Sequence, residues 1–224
     1  MEMEIVLPDE VAVMTLPAVT FFPQALLPLH IFEPRYRDML KDVLATHRLF
    51  AVAGLDPATR GAEETPHRVG TIGIIRACQK SADGTSNLLL QGLARIEFVA
   101  FLAEEPYRRV RMRALSSEAG AGDDQNLRLR RSLERLIVLK RQLGGSVPAE
   151  FARFLRTIED PETFVDLAAY TLCDDVSLKQ RLLETLDVHQ RLLLYTQHLR
   201  SEIDRLKLQR KLQGGLSDDS ISLN

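Results

Sequence analysis

The residues with the clearest capacity for chemistry are two cysteines and five histidines. Cys78 ends an apolar, strand-like run and would be a candidate nucleophile if a histidine lay beside it as a base. His30 and Glu33 are three residues apart in LPLHIFEPRYRDML, residues 27–40, a spacing that could orient a proton transfer. A cysteine in a buried strand is usually inert, and a histidine at a chain corner usually makes a local hydrogen bond. We therefore expect structural roles for these residues.

The sequence lacks the common motifs that bind phosphate, bind metals or contain an activated nucleophile. It has no GxxxxGK[ST] loop, no GxGxxG at a helix start, no GxSxG or SxxK, and no HExxH. Zinc needs three or four converging ligands, and a spatial cluster such as His30, His67 and Cys78 is the alternative to the absence of a zinc site. Asp174 and Asp175 could also bind a metal, but carboxylates directly before a helix more simply cap it. The sequence predicts no catalytic residue, no metal and no cofactor.

Arginines form a second group of candidate functional residues. Residues 107–113 alternate, with Arg109, Arg111 and Arg113 on one face and apolar residues on the other, which is typical of a half-buried strand. Such a face could bind RNA phosphates, with Tyr107 as the nearby aromatic residue for base stacking. A solvated strand face explains the pattern equally well. RNA binding through these three arginines is therefore the alternative function.

Apolar side chains are concentrated in VTFFPQALLPLHIF, residues 19–32. Some of them must lie in a core, but a β domain that exposes part of this run would offer a surface for apolar peptide segments. We take Phe21, Phe22, Leu26 and Tyr107 as candidate peptide-binding residues. Burial in the core is the alternative for each of them.

The composition is that of an ordinary globular protein, with 224 residues, a net charge of −2, 45% hydrophobic and 27% charged residues. This length allows one large domain or two small ones. The cysteines lie in different halves, which indicates no disulfide framework and favours a reducing compartment. The start, MEMEIVLPDE, lacks the features of a signal peptide, and no apolar run approaches the roughly 20 residues of a membrane helix. We expect a cytoplasmic protein that does not enter the membrane.

The first half of the chain has the pattern of a β domain. Eight of the 10 prolines fall at or before Pro106. Proline interrupts long helices but is compatible with the turns that connect short strands. One helix is expected after Pro34, because four apolar residues follow at helical spacing. Strand-length apolar runs occupy residues 11–16, 26–32, 50–53, 71–78, 88–90 and 96–102, and the alternating residues 107–113 form a further predicted strand.

The second half is predicted to be helical. A small, polar linker, SSEAGAGDD, precedes a helix that ends at Gly144–Gly145, and Pro148 and Pro161 open two more. A long last helix begins at Val176, with a possible break near Asp187. Its apolar stripe can pair with the bundle or with a second copy, giving a homodimer; the stripe is Leu192, Leu199, Ile203 and Leu206.

Several segments together resemble the N-terminal, substrate-binding domain of Lon proteases. Residues 14–40, MTLPAVTFFPQALLPLHIFEPRYRDML, resemble its opening strand, FP pair, LPL and IFEPRY corner. Residues 69–73, VGTIG, and 90–96, LQGLARI, resemble its VGT and L-x-G-x-x-R strands. Residues 179–192 resemble its KQ-x-LLE and D-V-x-x-RL helical run. Each piece is weak alone, but the combination spans most of residues 11–210.

The resemblance implies an α+β fold, with a PUA-like β pseudobarrel containing one helix and then an α-helical bundle with a long last helix. We divide the chain into a β domain (1–116), a linker (117–124), a bundle (125–213) and a disordered acidic tail (214–224). The implied role is binding of unfolded or tagged polypeptides and help in forming oligomers, and we expect unfolded or apolar polypeptide segments as the partners of this chain. The ATPase and serine–lysine protease of full Lon enzymes lie beyond the resemblance, so we expect an ATP-independent, non-enzymatic protein.

Overall fold

The computed structural model describes residues 6–56 and 65–214, and this part of the chain has the predicted α+β composition. Its strands are β1 (Glu10–Leu16), β2 (Leu26–Ile31), β3 (Leu49–Gly54), β4 (Val69–Lys80), β5 (Ser86–Ala103) and β6 (Arg109–Leu115). Its helices are α1 (Pro34–Ala45), α2 (Asp123–Gln142), α3 (Ala149–Arg156), α4 (Pro161–Leu172), α5 (Val176–Glu184) and α6 (Val188–Gly214). None of these helices is both long enough and apolar enough to cross a lipid bilayer.

The strands form one sheet with the order β2-β5-β4-β3-β1-β6, and β5 also pairs with β6. That second pairing closes five strands into a barrel and leaves β2 outside it, paired along the first half of β5. β1 and β3 run parallel, while the other pairs are antiparallel. The predicted pseudobarrel is thereby confirmed.

β5 is one strand of 18 residues, whereas the sequence predicted two runs at 88–90 and 96–102. The strand passes through Gly92, whose backbone makes two hydrogen bonds to the segment before β2. The Gly92 N–H donates to the Ala25 carbonyl (3.0 Å), and the Gly92 carbonyl accepts from the Gln24 N–H (2.9 Å). A Cβ at Gly92 would overlap the backbone carbonyl of Phe22. The glycine therefore marks a close approach of two chain segments and not the end of a strand.

The barrel core is built from the inward faces of its strands. Val13, Ala51, Ile72 and Val110 are fully buried within it. α1 begins at Pro34, as predicted, and buries its apolar face, which consists of Tyr36, Met39, Leu40 and Val43.

The chain divides into two compact units, and the first of them includes a helical segment. This unit comprises Met1–Glu118 and Asp166–Leu186, whereas the predicted division placed residues 166–186 in the helical bundle. A buried ion pair joins the segment to the strands, between Arg95 of β5 and Asp166 (2.7 Å). Nε of Arg95 also donates to the Leu183 carbonyl (3.0 Å). An alternating strand pattern does not reveal such long-range polar anchors.

The second unit, Ala119–Val165 and Asp187–Asn224, is centred on the packing of α2 along α6. The two helices run parallel, since Asn126 contacts His189 near their starts (2.9 Å) and Lys140 contacts Glu202 farther along (2.9 Å). α2 begins at Asp123, inside the predicted linker. Of the predicted apolar stripe of α6, Leu192, Leu199 and Ile203 are buried within the chain, and Leu206 is half-buried.

Side-chain caps separate the last two helices. The carboxylate of Asp175 accepts a hydrogen bond from the Leu178 N–H at the start of α5 (2.9 Å), which is the capping role expected for it. The carboxylate of Asp187 accepts one from the Gln190 N–H at the start of α6 (2.9 Å). The predicted break near Asp187 is therefore confirmed. Of the predicted tail, Gly214 is the last residue of α6 and the rest lies outside the described residues.

Candidate functional site

Two of the candidate peptide-binding residues, Phe21 and Phe22, lie in the core of the first unit. Their exposed fractions are 1% and 0%. Both rings meet the ring of Tyr170 edge-on, with centroids 6.4 and 6.5 Å apart, and the Arg95 guanidinium lies 5.9 Å from the Phe22 centroid. In the folded chain neither phenylalanine is accessible to a peptide. Both residues therefore have the alternative role given above, burial in the core.

Leu26 is exposed, at 50%, and lies at the start of the outer strand β2. Its backbone carbonyl accepts a hydrogen bond from the hydroxyl of Tyr170 (3.1 Å). Pro28, two residues on, has no N–H to donate to an added strand. This edge is therefore poorly suited to binding a peptide as a further β-strand.

Tyr107 lies before β6 and contacts α1, where its hydroxyl donates a hydrogen bond to the carboxylate of Asp42 (2.8 Å). Two effects raise the pKa of Tyr107: burial is the larger, and the hydrogen bond to this carboxylate is the smaller. The residue lines a small depression of about 190 Å³ that also includes Glu10, His47 and Arg109. Burial lowers the pKa of His47. Tyr107 is thus not part of one surface with the other three candidates.

The arginines of the alternative function are exposed on β6, and each faces a carboxylate. Arg109 pairs with Glu10 (3.0 Å), and Arg111 approaches the same carboxylate (3.9 Å). Arg113 pairs with Glu97. These carboxylates offset the positive potential that phosphate binding would need.

The residues first considered for catalysis make local contacts. A hydrogen bond joins Nδ1 of His30 to Oδ1 of Asn87 (2.8 Å), and Glu33 pairs with Arg35 (3.0 Å). Among residues 6–56 and 65–214, no three His, Cys, Asp or Glu side chains converge as metal ligands. The alternative of a cluster of His30, His67 and Cys78 is therefore not found.

A larger groove, which the sequence did not reveal, lies between α1 and the hairpin of β4 and β5. Its volume is about 390 Å³. We call it the α1–hairpin groove; α1 contributes Arg37, Asp38, Leu40, Lys41 and Leu44, and the hairpin contributes Cys78, Lys80, Gly84 and Ser86.

The turn of the hairpin holds one wall of the α1–hairpin groove in place. Gly84 has φ +82°, and a Cβ there would overlap the guanidinium of Arg37. The carboxylate of Asp83 accepts hydrogen bonds from the N–H (2.9 Å) and hydroxyl (2.8 Å) of Thr85, and these bonds lower the pKa of Asp83. The sequence predicted the helix, but the contact of that helix with the hairpin turn depends on tertiary packing.

The α1–hairpin groove combines an apolar floor with a cationic rim. Leu40 is buried and Leu44 is 38% exposed, while Cys78 is partly exposed. Arg37, Lys41 and Lys80 are exposed on the rim together with one carboxylate, that of Asp38, which gives a net charge of +2. Chemically, this arrangement can hold an apolar side chain beside negative charge.

Comparisons with known proteins assign the chain to a family. The model of the ATP-dependent protease La (LON) substrate-binding domain matches residues 10–201. The chain therefore belongs to the family of Lon substrate-binding domains.

Its relatives include the Lon protease of Syntrophus aciditrophicus, which is 31% identical over 219 residues. That match covers 95% of this chain and 28% of the relative. The Lon protease of Desulfosudis oleivorans is 27% identical over 216 residues, covering 95% of this chain and 26% of the relative. The chain thus spans little more than a quarter of the length of these relatives.

Solved structures of Lon N-terminal domains share the fold. The N-terminal domain of a Mycobacterium avium complex Lon protease matches with a TM-score of 0.63 at 22% identity, over 83% of this chain and 95% of that one. A Lon N-terminal domain protein from Xanthomonas campestris matches with a TM-score of 0.59 at 20% identity, over 82% and 94%. At these identities the likeness establishes the fold.

Proposed function

We propose that this chain is a non-enzymatic, ATP-independent module that binds unfolded or apolar polypeptide segments. The observation that carries the proposal is the match of residues 10–201 to a family of substrate-binding domains. The α1–hairpin groove, with its apolar floor and charged rim, supports it by offering a surface of the kind that recognises peptides.

The proposal assigns binding and no catalytic step. The family model concerns substrate binding, and the chain corresponds to 28% of the Syntrophus relative. The side chains considered for catalysis, His30 and Glu33, are engaged by Asn87 and Arg35. Polypeptide binding by such a module draws on buried apolar area and charge complementarity.

No observation favours the RNA alternative, because Arg109, Arg111 and Arg113 lie against Glu10 and Glu97. A homodimer through α6 would use exposed residues of this helix, among them Leu193, Leu208 and Leu212, since most of the predicted stripe is buried within the chain. The proposed compartment is the cytoplasm, which the low cysteine content of two residues in different halves of the sequence supports.

A binding assay with a permanently unfolded protein tests the proposal. Labelled α-lactalbumin, reduced and carboxymethylated, is titrated with the purified chain at about 150 mM salt, the physiological ionic strength, and followed by fluorescence anisotropy. We expect saturable binding without ATP and no binding of native, disulfide-bonded α-lactalbumin. Poly(U) RNA is titrated in parallel. Absence of binding to the unfolded protein, or retention of RNA alone, would contradict the proposal.

A further inference from the structure

We propose that the α1–hairpin groove recognises polypeptide segments in which apolar side chains are flanked by carboxylates. This inference rests on the proposed function and deepens it, because it names the site and the chemical class of segment. Its occupant is an acidic, apolar stretch of a partner polypeptide.

The shape of the groove favours a short stretch of side chains. Its volume of about 390 Å³ lies toward the lower end of the range of about 300–1,000 Å³ typical of ligand pockets. Leu40 and Leu44 of α1 and Cys78 of β4 give it apolar surface. An apolar side chain placed between them would leave water, which favours binding without specifying sequence.

The charge of the groove specifies what must flank that apolar side chain. Within the described part of the chain, none of Arg37, Lys41 and Lys80 forms an ion pair with a carboxylate. The planar fork of Arg37 can hold a carboxylate through two hydrogen bonds, and the two ammonium groups can act as point charges.

The cationic rim stands out against its surroundings. Residues 1–124 contain 13 Lys and Arg against 17 Asp and Glu, so this half of the sequence is acidic. A groove with a net charge of +2 attracts negative segments and repels positive ones. Charge complementarity therefore selects an acidic segment over a basic one.

A nucleic acid fits the groove less well than a peptide does. Its described lining contains no aromatic side chain on which a base could stack. Phosphate binding needs cations but gains nothing from the apolar floor formed by Leu40, Leu44 and Cys78.

The first test compares three labelled peptides by fluorescence anisotropy with the intact chain. One has the sequence GSDLELDSG, one replaces its acids by amides (GSNLQLNSG), and one replaces its leucines by serine (GSDSESDSG). We expect both altered peptides to bind about fivefold or more weakly than the first, a difference of about 1 kcal/mol at 25 °C. Equal binding of all three would overturn the inference.

The second test reverses the rim charges in the variant Lys41→Glu/Lys80→Glu. Its control, Arg131→Glu/Arg135→Glu, makes the same change of net charge on exposed positions of α2. Circular dichroism and thermal unfolding establish that both variants fold. We expect GSDLELDSG to bind the rim variant about tenfold more weakly, and the control to stay within about twofold of the wild type.

The floor is tested separately by Leu44→Gln. Its matched control is Leu193→Gln, because Leu44 and Leu193 are helical leucines with exposed fractions of 38% and 39%. We expect only the Leu44 variant to weaken binding, by about three- to tenfold. Equal effects of the two substitutions would contradict a role for the floor.

Occupancy of the groove is read directly from Cys78. Cys78 is a partly exposed residue, whereas Cys173 is only 1% exposed, so iodoacetamide should modify Cys78 selectively in the native protein. GSDLELDSG should slow this alkylation in proportion to saturation. An unchanged alkylation rate at saturating peptide would place the peptide elsewhere and overturn the inference.

The outcomes separate this inference from the proposed function. If the chain binds unfolded α-lactalbumin but the groove variants bind it like the wild type, the groove inference is wrong and the proposed function stands. If neither the unfolded protein nor the peptide binds, both are wrong. Protection of Cys78 by poly(U), or loss of a sedimenting dimer in the rim variant, would assign the groove to RNA or to a second copy instead.

Discussion

The buried pair of Arg95 and Asp166 anchors the segment 166–186 to β5, and its removal should destabilise the first unit. Both side chains are 2% exposed, and their charged atoms are 2.7 Å apart. The substitution Asp166→Asn removes one charge and leaves the guanidinium of Arg95 buried. We therefore expect a large loss of stability from a nearly isosteric change.

The size of this loss follows from the burial. Breaking a buried ion pair by removing one partner costs about 3–5 kcal/mol, because the remaining charge is left uncompensated. With a urea dependence of about 2 kcal/mol per molar, the unfolding midpoint should fall by roughly 2 M. Arg95→Met should cost at least as much, since the Leu183 carbonyl also loses its donor.

Urea unfolding followed by circular dichroism measures the total effect, and hydrogen exchange locates it. Exchange should quicken in residues 166–186 and in β5. The double variant Arg95→Met/Asp166→Asn should lose less than the sum of the two single substitutions, by about 1–3 kcal/mol. The control, Arg153→Ala, breaks an ion pair whose partners are 71% and 81% exposed and should change stability by less than about 0.5 kcal/mol.

Two results would refute this reasoning. One is a loss below about 1 kcal/mol for Asp166→Asn, which would mean that the pair is not held in a buried site. The other is unchanged hydrogen exchange in residues 166–186 despite global destabilisation. Additive effects in the double variant would likewise show that the two side chains do not act on each other.

Three further predictions concern the helical segment of the first unit. Tyr170→Phe removes the hydrogen bond to the Leu26 carbonyl and should cost about 0.5–1.5 kcal/mol in thermal unfolding; an unchanged midpoint would count against that bond. Asp175→Ala removes the cap of α5 and should cost about 1 kcal/mol, with faster exchange in that helix, whereas slower or equal exchange would not fit. Burial lowers the pKa of Lys179 in the folded state below its ordinary value. Between the lowered pKa of the folded state and the ordinary pKa of the unfolded chain, the unfolded chain therefore binds more protons than the folded state. The stability of the wild type relative to Lys179→Met should therefore rise over this interval, and a fall would contradict the sign.

Local patterns in the sequence were sufficient to predict most helices and strands. The alternation of residues 107–113 matched β6, and Pro34 with its apolar stripe matched α1. The predicted break near Asp187 was also correct, because capping depends on residues close in sequence. These features arise from local backbone and side-chain preferences.

The candidate site was harder to predict because it depends on tertiary packing. An apolar run indicates a core but not which of its residues remain exposed, so Phe21 and Phe22 were named although both are buried. The α1–hairpin groove brings together Lys41 and Lys80, which lie on different elements. No spacing in the sequence predicts that meeting, which the β4–β5 register and Gly84 determine.

The most direct test of the central claim is the affinity of the intact chain for unfolded α-lactalbumin, compared between the wild type and Lys41→Glu/Lys80→Glu. If the chain recognises polypeptides through the α1–hairpin groove, the wild type binds and the variant binds about tenfold more weakly. Equal affinity of the two folded proteins would contradict that account.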